Sequence, residues 1–152
     1  MTRAVRSLAA AGVLSAAALV TVPPPAYAGG CTGVCSETVN DSNSVVTVGR
    51  NYCQTGITGS RTTTKPTCSS DGVKQQWKGI GPGEQSPDGQ DWDTFRVDAN
   101  WCYEVYFEGY FPWNSSWTAY YKASSGEPTY VKVGNDHTAY IKRQTYRSCP
   151  AT

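Results

Sequence analysis

The sequence predicts an all-β domain, a single antiparallel β-sandwich cross-linked by disulfides. Seven or eight short stretches alternate apolar and polar residues and are separated by turns rich in Gly, Pro, Asn and Asp. That spacing is typical of antiparallel sandwiches and barrels. No stretch repeats its apolar residues at intervals of three and four, so no amphipathic helix is indicated. Six cysteines in a chain of this size favour a disulfide-containing domain. A small β-barrel is the alternative.

The first 28 residues have the pattern of a secretory signal peptide. They start with basic residues, continue with an apolar run over residues 8–22, and end on Ala-Tyr-Ala at positions 26–28, which fits the small-x-small cleavage rule. A membrane anchor is the alternative, but this run has about 15 residues where a spanning helix needs about 20. We therefore expect a leader over residues 1–28 and a single secreted β domain over residues 29–152.

The charge balance indicates a nearly neutral domain. Of the 13 basic residues, two lie in the leader, and the remaining 11 face 12 acidic residues. There is no basic stripe and no acidic tail. The balance argues against nucleic acid or an anionic membrane as the partner, and we expect an extracellular monomer.

All six cysteines follow the expected cleavage site, and an even number in an exported domain predicts three disulfides. Fifteen pairings are possible. The preferred pairing joins Cys102 to Cys149, Cys53 to Cys68, and Cys31 to Cys35. A zinc site is the alternative, but the chain has no repeated C-x-x-C and a single histidine. No metal or other cofactor is predicted.

Residues 91–110 carry the clearest alternation in the chain. Two runs of period two flank the segment Asp98-Ala99-Asn100. Asp and Asn tolerate left-handed backbone and hydrogen-bond locally, so this segment predicts a tight turn. We interpret the two runs as a hairpin-like pair of strands at the centre of the fold.

Further strands are expected over residues 45–48, 73–80, 117–122, 130–133 and 138–146. Residues 29–43 are polar and rich in turn formers, and residues 55–70 are expected to form a long loop or a poor edge strand. The predicted core residues are Val45, Phe95, Val97, Val105, Val131, Val133, Ala139 and Ile141.

Aromatic residues are the one compositional feature that suggests a function. They make up 17 of the 124 residues after the leader, more than a core of this size can bury. Exposed Tyr and Trp suit binding of sugar rings or of a protein partner, although cross-strand packing alone also favours aromatics. The predicted ligand-binding residues are Tyr106, Tyr110, Phe111, Trp113, Trp117 and Tyr120.

Signals for catalysis or metal binding are weak. His137 lies in a polar turn, where exposure to solvent is the default, and no G-x-S-x-G nucleophile setting occurs. The acidic residues Glu84, Asp88, Asp91 and Asp93 occur near one another, which could suit calcium, but their spacing matches no EF-hand. We therefore predict a protein that is not an enzyme; a hydrolase using Asp91, Asp93 or Glu84 is the alternative.

The leader, the Gly79–Glu84 turn, the Trp92–Val97 strand and the Trp101-Cys102-Tyr103 segment together resemble small secreted proteins of actinobacteria such as Streptomyces. The resemblance implies an exported bacterial protein and carries over no site residue. The sequence thus predicts a secreted binding protein, with an inhibitor of an extracellular enzyme as the first hypothesis. A carbohydrate-binding module and a structural protein of a cell envelope or spore surface are the alternatives.

Overall fold

The computed structural model describes residues 34–70, 72–110 and 115–149, and within these ranges the chain is all-β. Among these residues, no helical segment has the length and apolarity that crossing a bilayer requires. The predicted leader, Cys31, Phe111 and Trp113 lie outside the described residues. The strands are β1 (Glu37–Asn40), β2 (Val46–Gly49), β3 (Arg61–Thr62), β4 (Ser69–Ser70), β5 (Val73–Lys74), β6 (Trp77–Ile80), β7 (Thr94–Val97), β8 (Trp101–Gly109), β9 (Ser116–Lys122), β10 (Thr129–Lys132) and β11 (His137–Tyr146).

Two open sheets make up the sandwich, which confirms the predicted fold class. One sheet has four strands in the order β1-β11-β8-β9, and the other has five in the order β3-β10-β7-β2-β6. A small separate ribbon pairs β4 with β5. Neighbouring strands run antiparallel except β1 and β11, which are parallel. Neither sheet closes on itself, so the barrel alternative is not adopted.

The central stretch is not a hairpin, which corrects that prediction. β7 pairs with β2 and β10 in the five-stranded sheet, whereas β8 pairs with β11 and β9 in the other. The turn itself forms where expected, with Asn100 in left-handed backbone (φ 67°) and the Trp101 amide donating to the Asp98 carbonyl at 3.0 Å. The chain uses this turn to cross between sheets, because stacking the two strands buries the apolar faces of both against each other.

The core lies between the sheets, and seven of the eight predicted core residues are fully buried in it. Val45 was predicted wrongly: it is 58% exposed, and Val46 and Val48 are buried instead. The polar Thr47 lies between Val46 and Val48, and strand alternation about Thr47 places Val45 on the outer face with it. Val46 also pairs with Ile80, which is itself buried, and both side chains lie in the core.

The disulfides Cys53–Cys68 and Cys102–Cys149 form as predicted, with Cα–Cα distances of 5.6 and 5.1 Å. Cys35 is also disulfide-bonded, and its predicted partner lies outside the described residues.

Strand β1 was not expected in the polar N-terminal segment. Its inward positions, Thr38 and Asn40, are polar but fully buried. The Asn40 side chain donates to the carbonyls of Ser44 and Ile80 at 2.8 and 3.0 Å. Hydrogen bonds thus stabilise the buried Asn40 side chain in place of apolar packing, and alternation of hydrophobicity cannot reveal such a strand.

Candidate functional site

Four tyrosines share the outer face of the four-stranded sheet. Because β8 turns Tyr103, Val105 and Phe107 into the core, the intervening Tyr106 points outward. The same alternation directs Tyr120 of β9 outward, and Tyr140 of β11 lies directly opposite Tyr106. Tyr110 follows the end of β8. We call Tyr106, Tyr110, Tyr120 and Tyr140 the tyrosine face; all four are partly exposed.

The centre of the tyrosine face is a pair of rings surrounded by charged groups. The Tyr106 and Tyr140 ring centroids are 6.0 Å apart, and the two planes are inclined by 39°. The Tyr140 hydroxyl donates to Glu108 Oε2 at 2.9 Å, and Lys142 Nζ lies 5.4 Å from the Tyr140 ring centroid. Lys142 is in turn paired with Asp41 at 2.7 Å. These contacts orient the rings while their surfaces remain partly accessible.

One end of the tyrosine face adjoins a cavity. The Tyr110 hydroxyl is hydrogen-bonded to Thr138 Oγ1, which donates to Glu37 Oε2 at 3.3 Å. Tyr110 and Glu37 both line a cavity of about 320 Å³ whose other polar lining includes Ser36, Ser86, Asp88 and Gln90. A ligand lying along the face could therefore extend into this cavity.

Trp117 is separated from the tyrosine face, although the sequence grouped them. Its ring faces inward, stacked on Phe107 with centroids 4.9 Å apart. Trp117 and Tyr120 are three positions apart on one strand, so alternation alone places them on opposite faces. Tyr140 was missed, although the same alternation in the last strand could have identified it.

His137 is buried, with 4% of its surface exposed, so its predicted exposure was wrong. The imidazole Nδ1 lies 2.8 Å from Asp136 Oδ1 and 3.3 Å from the Thr58 hydroxyl. Burial alone would raise the pKa of Asp136, but hydrogen bonds, first among them that from His137, lower the pKa below its usual value. Ser115 Oγ lies 3.3 Å from the other ring nitrogen, Nε2. Thr58 is 79 residues away from His137, so local sequence could not reveal this environment.

The acidic residues suggested for calcium are not gathered into one site. Glu84 accepts from the Gly81 amide at 2.7 Å, and Asp88 accepts from Gln85 at 2.6 Å. Across the described ranges, no group of three or more His, Cys, Asp or Glu side chains is placed to hold a metal ion.

Asp91 and Asp93 are close together, and both contact the Ser36 hydroxyl, at 2.5 and 3.3 Å. Burial, and then the negative charge of Asp91, raise the pKa of Asp93 to about 7. Asp93 therefore loses its proton at a higher pH than an ordinary aspartate does.

No protein-family model, curated protein or solved structure significantly matches the chain. The observations that bear on function are therefore chemical. Tyrosine rings offer apolar faces that can stack on the C–H faces of sugars. The carboxylate of Glu104, opposite Tyr120, and that of Glu108 can accept hydrogen bonds from hydroxyl groups.

Proposed function

We propose that this chain is an extracellular carbohydrate-binding protein that holds a polysaccharide on the tyrosine face. The observation that carries the proposal is the partly exposed Tyr106–Tyr140 ring pair beside Glu108. A rigid sheet presents these groups, so little conformational entropy is lost when a ligand binds. The disulfides are consistent with an extracellular location.

The chemistry of the face favours a sugar over a protein partner. Protein interfaces are centred on desolvated apolar and aromatic anchors, with charged groups depleted. The large hydrophobic side chains that are most exposed among the described residues are Val34, Val45, Ile57 and Tyr146, and none of them belongs to the tyrosine face. On this face the rings alternate with carboxylates and a lysine instead, and this mixture matches the alternating C–H and hydroxyl surfaces of a sugar chain.

The inhibitor hypothesis relies on the aromatic loop from Tyr110 to Asn114, of which residues 111–114 lie outside the described residues, so it stays a prediction. The structural-protein alternative requires no ligand. Both alternatives can be separated from the carbohydrate proposal by one binding experiment.

That experiment measures retention of the oxidised protein on insoluble chitin, cellulose and bacterial cell-wall glycan. We expect retention on at least one of these, weakened about fivefold by Tyr106→Ala or Tyr140→Ala, because each ring contributes about 1 kcal/mol. Tyr146→Ala is the matched control, since Tyr146 is a tyrosine of the same strand β11 that is 52% exposed and lies outside the face.

Retention that is equal in the wild type and the Tyr106→Ala/Tyr140→Ala double variant would overturn the proposal. Capture of a secreted enzyme in a manner that depends on Trp113 would favour the inhibitor hypothesis instead. Binding to none of the three glycans would favour the structural-protein hypothesis.

A further inference from the structure

Ser115, His137 and Asp136 form a continuous hydrogen-bonded series at one end of the sandwich. Ser115 Oγ lies 3.3 Å from His137 Nε2, and His137 Nδ1 lies 2.8 Å from Asp136 Oδ1. The serine is exposed, the imidazole is buried, and the aspartate is half exposed. The two ring nitrogens thus contact two different partners, a hydroxyl on one side and a carboxylate on the other.

Two residues distant in sequence from His137, Thr58 and Trp117, help to hold the imidazole in this orientation. The Thr58 hydroxyl accepts from the Gly134 amide at 3.0 Å and contacts both Asp136 and His137 at 3.3 Å. The Trp117 ring packs edge-on against the imidazole with centroids 5.0 Å apart. These contacts leave the ring few alternatives to the position in which Nε2 faces Ser115.

Gly109 keeps the space beside the Ser115–His137 contact open. It lies opposite His137 in the pairing of β8 with β11. A Cβ atom at position 109 would lie 3.1 Å from His137 Nε2 and 2.6 Å from the Ser115 carbonyl oxygen. Any larger residue would therefore press on both members of the pair.

We propose that Ser115, His137 and Asp136 form an acyl-transfer centre that hydrolyses carboxylic esters. Asp136 accepts the Nδ1 proton, which fixes the tautomer in which Nε2 is free to accept a proton from Ser115. The separation of Ser115 Oγ from Nε2 is slightly longer than an ideal hydrogen bond, as is common for nucleophile–base pairs without substrate. Ser115 and His137 are the catalytic residues, while Asp136 and Thr58 are positioning residues.

The reaction balances with the ester and water alone. Ser115 Oγ bonds to the carbonyl carbon while its proton passes to His137 Nε2. The bond from that carbon to the leaving alcohol oxygen then breaks, and the alcohol takes the proton from Nε2. Water next attacks the acyl-serine with Nε2 as base, which releases the carboxylic acid and restores Ser115.

The test is covalent labelling of the oxidised, folded protein with diisopropyl fluorophosphate, followed by intact mass and peptide mapping. In the labelling step the Oγ–P bond forms, the P–F bond breaks, and the serine proton leaves through His137. We expect one adduct, on Ser115, and none in Ser115→Ala. Ser116→Ala is the matched control, because Ser116 is the exposed neighbouring serine that starts β9, and its labelling should equal that of the wild type.

The Asp136→Asn variant distinguishes a Ser115 that is activated through His137 from a serine that is only exposed to the reagent. It should lower the maximal labelling rate at least about 100-fold with little change in the reagent concentration that gives half that rate. The hydrolysis of 4-nitrophenyl acetate should decrease in parallel.

An unlabelled wild-type protein, equal labelling of Ser115 and Ser116, or an Asp136→Asn variant that reacts as fast as the wild type would each overturn the proposal. Glycan retention by Ser115→Ala reports separately on the tyrosine face, so the two proposals can fail independently.

Discussion

Tyr140 donates a 2.9 Å hydrogen bond to Glu108 across the β8–β11 pair, and this bond orients one of the two central rings of the tyrosine face. The carboxylate stabilises the protonated phenol. The hydrogen bond to Glu108, and then burial, therefore raise the pKa of Tyr140 to about 12. The pKa of Tyr140, a proposed ligand-binding residue, therefore reports on its hydrogen bond to Glu108.

Replacing Glu108 by Gln should lower the pKa of Tyr140 toward the ordinary tyrosine value of 10. The amide can still accept a hydrogen bond, but it carries no charge to oppose formation of the phenolate. The measurement is an NMR titration of protein with ¹³C-labelled tyrosine. Glu104→Gln is the control, since Glu104 lies on the same strand opposite Tyr120 and Arg143. An unchanged Tyr140 titration in Glu108→Gln would show that the hydrogen bond does not set the pKa.

Alternation in the sequence predicted the strands that carry this site, because it depends only on which face each residue occupies. The last strand was expected over residues 138–146 and spans His137–Tyr146, and the strand expected over residues 117–122 spans Ser116–Lys122. The outward direction of Tyr106 and Tyr120 follows from the same rule. Local patterning therefore predicted these strands and the sheet face on which Tyr106 and Tyr120 lie.

Strand pairings and side-chain contacts between distant parts of the chain could not be predicted from alternation. The turn at residues 98–100 is compatible with a hairpin or with a crossing between sheets, and the choice depends on pairings with strands far away in sequence. Similarly, the burial of His137 depends on Thr58, and its contact with Ser115 depends on the pairing of β8 with both β9 and β11. Such contacts are non-local, so a polar turn in the sequence gave no sign of them.

Gly49→Ala should destabilise the five-stranded sheet by about 1–3 kcal/mol, the usual cost of overpacking. Gly49 pairs with Trp77, and a Cβ at position 49 would lie 2.5 Å from the nearest indole carbon. Urea denaturation measures the free energy of unfolding. The Gly49→Ala/Trp77→Ala double variant is the control, because the added methyl group then has room. The sum of the losses in Gly49→Ala and in Trp77→Ala should exceed the loss in the double variant by about 1 kcal/mol or more. Strict additivity of the two losses would contradict the steric explanation.

Removing the Cys102–Cys149 disulfide should cost more stability than removing Cys53–Cys68. The first closes a separation of 47 residues and the second a separation of 15. Loop-closure entropy then predicts losses of about 4 and about 3 kcal/mol. Paired Cys→Ala variants compared by urea denaturation test the order. A larger loss for Cys53→Ala/Cys68→Ala would indicate that contacts in the native state, and not loop length, dominate.

Asp93→Asn should stabilise the protein at pH 8 and leave its stability nearly unchanged at pH 4. Burial, and then the charge of Asp91, raise the pKa of Asp93 from 3.8 to about 7. Between these two values the folded state binds more protons than the unfolded state. The contribution of Asp93 to stability therefore falls as pH rises from about 4 to about 7 and is constant above that.

An asparagine at position 93 cannot ionise, so the variant does not lose stability as the pH rises. At pH 8 its free energy of unfolding should exceed that of the wild type by on the order of 1 kcal/mol after allowance for partial exposure. Urea denaturation of the wild type and the variant at pH 4, 6 and 8 measures the difference. Asp88→Asn serves as the control, because Asp88 is exposed and contacts Gln85 and not the Asp91–Asp93 pair. If the free energies of unfolding of Asp93→Asn and the wild type differ by a constant amount across this range, then the pKa of Asp93 is not raised in the folded state.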